Sequence, residues 1–157
     1  MLSGVGVFEF FDPGVLRDED LLLTLSETLQ ADTARGWAPC YMFHMINGER
    51  GRKVGEIQLR IGFTEHLRLY AGHIGYSVEA DFRGHRFAAR SIQLLMPLAR
   101  KHGFSELWIT CNPENTASRR TCEIAGATFV EILDLPADTE IYQRGDRQKC
   151  RYLLSLK

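Results

Sequence analysis

The stretch GHIGYSVEADFRGHRFAARS, residues 72–91, holds the passage from strand to helix on which the reading of this chain turns. His73 to Val78 reads as a short strand. From Ala88 the apolar residues Ala88, Ile92, Leu95, Met96 and Ala99 recur on one side of a helix that runs to about His102. Pro97 is expected to bend that helix, because it removes one backbone hydrogen bond. Strand and helix are joined through RGHRFA, Arg83 to Ala88. A helix N-terminus offers unpaired backbone N–H groups and the positive end of a dipole, and a short loop ahead of it can wrap those groups around a phosphate. Gly84 permits close backbone approach, while Arg83, His85 and Arg86 add charge or donors around an anion. On these residues alone two readings stay open, an anion cradle and a solvated basic turn. The loop carries neither GxxxxGK(S/T) nor GxGxxG, which excludes a P-loop enzyme and a Rossmann dehydrogenase.

Downstream, Leu107 to Cys111 reads as a buried strand. Asn112-Pro113-Glu114 then has the chemistry of a helix start: a cap residue, a proline in the first turn and an early carboxylate. That helix is expected to end at Gly126, and Thr128 to Leu133 and Arg151 to Leu156 read as closing strands around a polar loop, Pro136 to Lys149. Upstream, Val5 to Phe11 reads as a first strand closed by Asp12-Pro13-Gly14. Between Asp18 and Ala31 the spacing of Leu21, Leu22, Leu25 and Leu29 predicts a helix, with Asp18, Glu19 and Asp20 at its N-terminal dipole. Cys40 to Ile46 and Lys53 to Phe63 flank Asn47-Gly48-Glu49-Arg50-Gly51, a β-hairpin signature. The alternation of strands and helices predicts a mixed α/β domain.

At 157 residues with 45% apolar content, the chain is expected to form one domain, residues 1–157. A formal net charge of -1 lacks the footprint of a nucleic-acid binder. Cys40, Cys111, Cys122 and Cys150 form no CxxC pair, which argues against a metal site and a redox dithiol and leaves them as reduced thiols. The opening MLSGVGVFEFFDPG lacks the pattern of a targeting signal, and no apolar run approaches the roughly 20 residues needed to cross a bilayer. The expectation is a cytoplasmic protein with neither membrane nor nucleic-acid partner.

Three segments occur in order: GHIGYSV (Gly72 to Val78), RGHRFA (Arg83 to Ala88) and NPENTASRRTCEIAGA (Asn112 to Ala127). Together they resemble the core of the GNAT superfamily of acetyltransferases: its central strand, its pyrophosphate loop R-x-x-G-x-G/A, and its segment N-x-x-N-x-x-S followed by E-x-x-G. The likeness is nearest the branch of ribosomal-protein N-terminal acetyltransferases. It implies a GNAT-like α/β fold, with a central twisted mixed sheet of about six or seven strands, splayed central strands and about three or four flanking helices. It also implies acetyl-CoA as cosubstrate, no metal, a small-molecule amine or peptide N-terminus as acceptor, and a homodimer as a family-level expectation.

By the same resemblance, the pantetheine arm of CoA enters the gap between the splayed strands His73 to Val78 and Leu107 to Cys111, beside Tyr76, Ser77 and Val78. The Val78 N–H is then a candidate donor to the thioester oxygen as it gains charge. The pyrophosphate would lie over Arg83, Gly84, His85, Arg86, Phe87 and Ala88, and Asn112, Asn115 and Ser118 would contact the cofactor arm. Arg86 departs from the pattern, which has glycine there; Cys122 stands where many members carry a tyrosine acid, and Thr110 where many carry a glutamate. The remaining acid–base candidates are His73 and Glu56 as bases and Cys122 as acid for the leaving thiolate. His73 is preferred as base by its ordinary pKa near 6.5. Each also has a structural reading, as a hydrogen-bonded strand histidine, a solvated glutamate and a buried thiol. Trp37, Tyr41, Phe43, Tyr76 and Tyr142 are candidates to line an acceptor cleft, and the loop at Tyr142, Arg144 and Gly145 to cover it or support a dimer. The missing tyrosine and glutamate also admit a non-catalytic CoA-binding or sensing module on the same fold.

Overall fold

The hairpin forms around residues 48–51 as its turn residues require. In the computed structural model, which describes residues 7–157, β3 (Cys40–Asn47) pairs antiparallel with β4 (Arg52–Arg60), and Gly51 takes φ 60° in the connection. β5 (Ile74–Val78) adds beside β4, while β2 (Leu21–Leu29) and β1 (Leu16–Asp18) add beside β3. The result is a five-stranded antiparallel sheet in the order β1-β2-β3-β4-β5.

The helix expected from Asp18 to Ala31 is instead the β1–β2 hairpin. Three consecutive leucines fit either a helical or an alternating pattern, and pairing with β3, from Leu21 opposite Asn47 to Leu29 opposite Cys40, decides for the strand. Leu21 and Leu23 enter the core while Leu25 stays 41% exposed beyond it. The acidic residues of the expected helix start form the tight turn, with Glu19 at φ 53°. Of the first expected strand, Val5 and Gly6 lie outside the described residues, and 7–15 has no regular secondary structure. Phe8 and Phe10 nevertheless pack on the core, next to Tyr41 and His102.

The second sheet joins β6 (Glu106–Cys111), β8 (Gln148–Ser155) and β7 (Thr128–Asp134), antiparallel in the order β6-β8-β7. Among the described residues, three α-helices complete the fold, α1 (Phe87–Lys101), α2 (Thr116–Ile124) and the single turn α3 (Glu140–Gln143), which interrupts the expected polar loop, together with a π-helical segment at Leu67–Ala71 and a 3-10 turn at Ala80–Phe82. Pro97 lies at an exposed position inside α1, which continues past it to Lys101. α1 lays its apolar face, including the buried Ile92, Leu95 and Ala99, across the first sheet and touches α2. α2 begins later than Asn112-Pro113-Glu114 suggests, because Asn115 is the cap: its Oδ1 accepts the Ser118 N–H at 3.0 Å.

The expected mixed sheet is thus realised as two antiparallel sheets that meet where β5 faces β6. Between these strands there is no ladder. His73 N–H donates to Trp108 O at 2.7 Å, and Trp108 N–H donates to His73 Nδ1 at 2.9 Å, at the start of β5. Beyond that point no backbone hydrogen bond joins β5 to β6, which belong to different sheets.

Candidate active site

The loop ahead of α1 turns on two left-handed residues. Gly84 takes φ 93° and Arg86 takes φ 59°, ψ 26°, after which α1 begins at Phe87 with no side chain capping its first turn. The leading N–H groups of the helix therefore lack a side-chain acceptor, the condition an anion satisfies. Arg86 occupies the family's glycine position and adopts the backbone conformation a glycine would take there, at a cost of about 1–2 kcal/mol for its Cβ. Arg86→Gly is accordingly expected to be more stable than Arg86→Ala by about 1 kcal/mol in urea unfolding, after the entropy of the unfolded glycine is deducted. Equal stability of the two would show that residue 86 is not strained.

Arg90 props this loop from below. Its guanidinium donates to Asp18 Oδ2 and Asp18 O, both at 2.6 Å, to Asp20 Oδ1 at 2.7 Å and to His85 O at 3.3 Å. The hydrogen bond from Arg90 holds the Asp20 carboxyl below its ordinary pKa. The β1–β2 turn is thereby tied to the loop ahead of α1.

At the strand gap, Arg60 N–H bonds to His73 O at one end of β5 and Glu79 N–H to Val54 O at the other. Antiparallel alternation then aims the backbone groups of Tyr76 and Val78 away from β4. Arg83 Nε donating to Val78 O at 3.3 Å agrees with that direction. The Tyr76 phenol crosses the gap to α2, 2.6 Å from Ser118 Oγ and 3.8 Å from Cys122 Sγ, and burial raises its pKa. Ser77 and Glu56 stand opposite each other on the sheet.

Behind the gap lies a cavity of about 300 Å³. Tyr76, Asn112, Asn115 and Ser118 line it, with Arg60, Tyr70, Thr110, Cys111, Arg144 and Lys149. Larger, shallower depressions lie elsewhere, at the β1–β2 turn and beside Phe10 and Phe11, but they do not open between the sheets. Asn112 also ties the end of β6 to the loop before β8, donating to Asp146 Oδ1 at 3.0 Å and accepting from Lys149 Nζ at 2.6 Å.

The three acid–base candidates do not converge on this cavity. His73 is 2% exposed, with Nδ1 accepting from Trp108 and Nε2 3.0 Å from Gly62 O, and burial depresses its pKa to about 4. Glu56 bonds Lys53 Nζ at 2.6 Å, which lowers its pKa, and borders a separate surface depression with Ser77 and Val78. Cys122 is fully buried, and its hydrogen bond with Cys111, followed by burial, holds it protonated; the same bond pulls Cys111 down. Among the aromatic candidates only Tyr76 reaches the cavity. Tyr41 and Phe43 are core, Trp37 stacks with Arg35, and Tyr142 with Arg147. Arg60, Tyr70, Cys111 and Lys149 carried no signal in the sequence, because each is an isolated residue whose role depends on tertiary placement.

Comparison with known proteins agrees with this architecture. The family model described as an acetyltransferase (GNAT) domain matches residues 7–128. No curated protein matches the chain. Among solved structures, the ribosomal L7/L12 α-N-protein acetyltransferase RimL, in complex with coenzyme A joined to one of its cysteines by a disulfide, superposes with TM-score 0.63 at 15% identity, covering 90% of this chain and 97% of RimL. The ribosomal-protein-S5-alanine acetyltransferase from Vibrio fischeri gives TM-score 0.59 at 12% identity over 75% of this chain, and the microcin C7 self-immunity acetyltransferase MccE, in complex with acetyl-CoA and AMP, gives 0.57 at 18% over 74%. This chain spans 62% and 61% of the lengths of those two proteins, less than two thirds of either. At such identities the likeness is one of fold. The match over residues 7–128, on a fold shared with these acetyltransferases, makes the chain a member of the GNAT family.

Proposed function

We propose that the chain is an N-acetyltransferase that moves acetyl from acetyl-CoA to a primary amine of a small molecule or a peptide N-terminus. The observation that carries this reading is the parting of β5 from β6, between an uncapped helix start and a polar cavity. The residues fit the cosubstrate. Arg83, Gly84, His85, Arg86 and the first-turn N–H groups of Phe87 and Ala88 would hold its pyrophosphate, the free backbone groups of Tyr76 and Val78, on either side of Ser77, its amide-bearing arm, and Asn115 and Ser118 the inner end of that arm. Bound there, acetyl-CoA supplies the acetyl group as an activated thioester. Peptide N-termini belong to the acceptor class because proteins of like fold, RimL among them, are named for acetylating ribosomal proteins.

Transfer forms a bond between the amine nitrogen and the acetyl carbon, breaks the carbon–sulfur bond, leaves the electron pair on sulfur and moves one proton from nitrogen to sulfur. No further reactant is needed. The Val78 N–H, aimed away from β4, donates to the carbonyl oxygen as it gains charge. The hydroxyl pair of Tyr76 and Ser118 presents protons at the cavity. We assign His73 as a clamp between strands rather than a base, since both its ring nitrogens are engaged by backbone groups. Glu56 and Cys122 are likewise left outside the proton path. Much of the acceleration is then orientation of the amine against the thioester. Among the described residues no helix is long and apolar enough to cross a membrane; we place the reaction in the cytoplasm.

Isothermal titration with acetyl-CoA and with CoA tests the reading. Saturable micromolar binding is expected, and no binding at millimolar concentration would overturn it. Binding without transfer to any amine would assign the non-catalytic CoA-binding module instead. Asn115 separates folding from binding: Asn115→Ala is expected to lose about 1 kcal/mol with its cap. Asn115→Asp should keep the cap and lose up to about tenfold in acetyl-CoA affinity with its amide donor.

A further inference from the structure

We infer that the acceptor amine carries a carboxylate, so that the cavity behind the β5–β6 gap takes a small amino-acid-like acceptor; this deepens the acetyltransferase reading and rests on it. Three cationic side chains converge on the cavity, Arg60 from β4, Arg144 from the end of α3 and Lys149 from β8, and no Asp or Glu lines it. Arg60 lies over Gly75, where a Cβ would come within 2.9 Å of its Nη2. Its donors reach only neutral acceptors: Ala71 O at 3.2 Å, Gly72 O at 3.0 Å and Gln58 Oε1 at 3.2 Å. Among the described residues it has no carboxylate partner, and burial pulls its pKa below the ordinary guanidinium value. Arg144 is exposed at the mouth, with no side-chain hydrogen bond or ion pair among the described residues. Lys149, its side chain 13% exposed, pairs with Asp146 at 3.3 Å, and Arg144 lies within electrostatic reach of the same carboxylate.

A desolvated guanidinium without a counter-charge is costly, and an arriving carboxylate relieves that cost through charge-assisted hydrogen bonds. The same cations act on the amine. Positive charge nearby disfavours its ammonium form, so part of the deprotonation that an attacking amine requires comes from the field of the site. That accounts for a transfer site whose expected bases are engaged elsewhere. Polyamines and other polycations are repelled by the same field. The volume, about 300 Å³, sits at the low end for ligand pockets and suits a small acceptor. The phosphates of acetyl-CoA do not need these cations, because no residue of the Arg83–Ala88 cradle lines the cavity.

The test is steady-state release of the CoA thiol from acetyl-CoA by the full chain, with acceptors in matched pairs. The pairs are glycine and glycinamide, β-alanine and its amide, glutamate and its diamide, and the tripeptide amides beginning with Glu and with Gln; spermidine is the polycation. At least one free amino acid is expected to exceed its amide tenfold or more in kcat/KM, with spermidine inactive. Arg144→Gln is expected to bring that ratio near one by raising the acceptor KM while the KM for acetyl-CoA stays constant. Arg144 carries the test because Arg60 also braces the Ala71 and Gly72 carbonyls, and its loss would disturb folding. Amides equal to acids, active spermidine, a preference confined to the peptide pair, or an Arg144→Gln effect on the acetyl-CoA KM would each overturn the proposal. Acetylation of no amine by protein that binds CoA would do so as well. Failure of acetyl-CoA to bind in calorimetry is a separate result, and removes the acetyltransferase reading itself.

Discussion

Lowering the pH from 6.5 to 4 is expected to cost the fold about 3 kcal/mol through His73 alone. In the unfolded chain this imidazole titrates near its ordinary value of 6.5, whereas in the folded protein burial holds it down to about 4. Above pH 6.5 both states are neutral there, and the contribution is fully present. Between 6.5 and 4 the unfolded chain takes up a proton that the folded protein refuses, and stability falls by up to about 1.4 kcal/mol per pH unit. Below 4 the folded state is protonated too and the loss levels off. His102, also lowered by burial, adds a smaller slope of the same sign. Urea unfolding of the natural protein and of His73→Gln across this range measures the effect. The variant should be less stable at pH 7, where it weakens the clamp on Trp108 and Gly62, yet lose most of the acid slope. An unchanged slope would refute the assignment. A histidine that stays neutral from pH 5 upward also predicts that a kinetic limb near 6.5 in the pH–rate profile, if measured, survives in His73→Gln.

Gly55→Ala should be the most damaging single methyl group in the first sheet. Gly55 stands opposite Val78, and a Cβ there would run into the Ser77 carbonyl oxygen, with Met45 Sδ at 3.0 Å and Val78 Cα at 3.2 Å. Two of those three atoms are backbone, so the strain cannot be relieved by a side-chain rotation. Overpacking of this kind costs about 3 kcal/mol. The strand that must move is β5 at its Val78 end, which carries the proposed oxyanion donor and leads into the cradle. Gly55→Ala is therefore expected to lose at least tenfold in kcat/KM in the protein that remains folded, read alongside its urea midpoint. A variant of natural stability and activity would mean that β5 yields without cost, and would count against a defined geometry at Val78.

Much of the architecture was legible because its signals are local. The alternation of His73 to Val78 and the one-sided apolar spacing of α1 lie within a few residues of the structures they specify, and so do the glycines of the β3–β4 connection. The junction at Arg83 to Ala88 was legible for the same reason, and even the departure at Arg86 resolves within one residue's φ and ψ. The structure departs from the sequence pattern where two local patterns are equally good. LLLTLSETL satisfies a helix and a strand alike, and Asn112 and Asn115 are both competent caps.

The sequence by itself therefore determined the strand–loop–helix core, the family it belongs to and the turn ahead of α1, all of which depend on steric and hydrogen-bonding preferences of neighbours in the chain. Tertiary structure decided the rest, through contacts that no local pattern encodes. Pairing with β3 made residues 21–29 a strand. Burial between Trp108 and Gly62 engaged both ring nitrogens of His73 with backbone groups. Three cations separated by up to 89 positions, at 60, 144 and 149, became one charged cavity only when β4, α3 and β8 were brought to the same gap, because the field of a site depends on distance in space and not on distance along the chain.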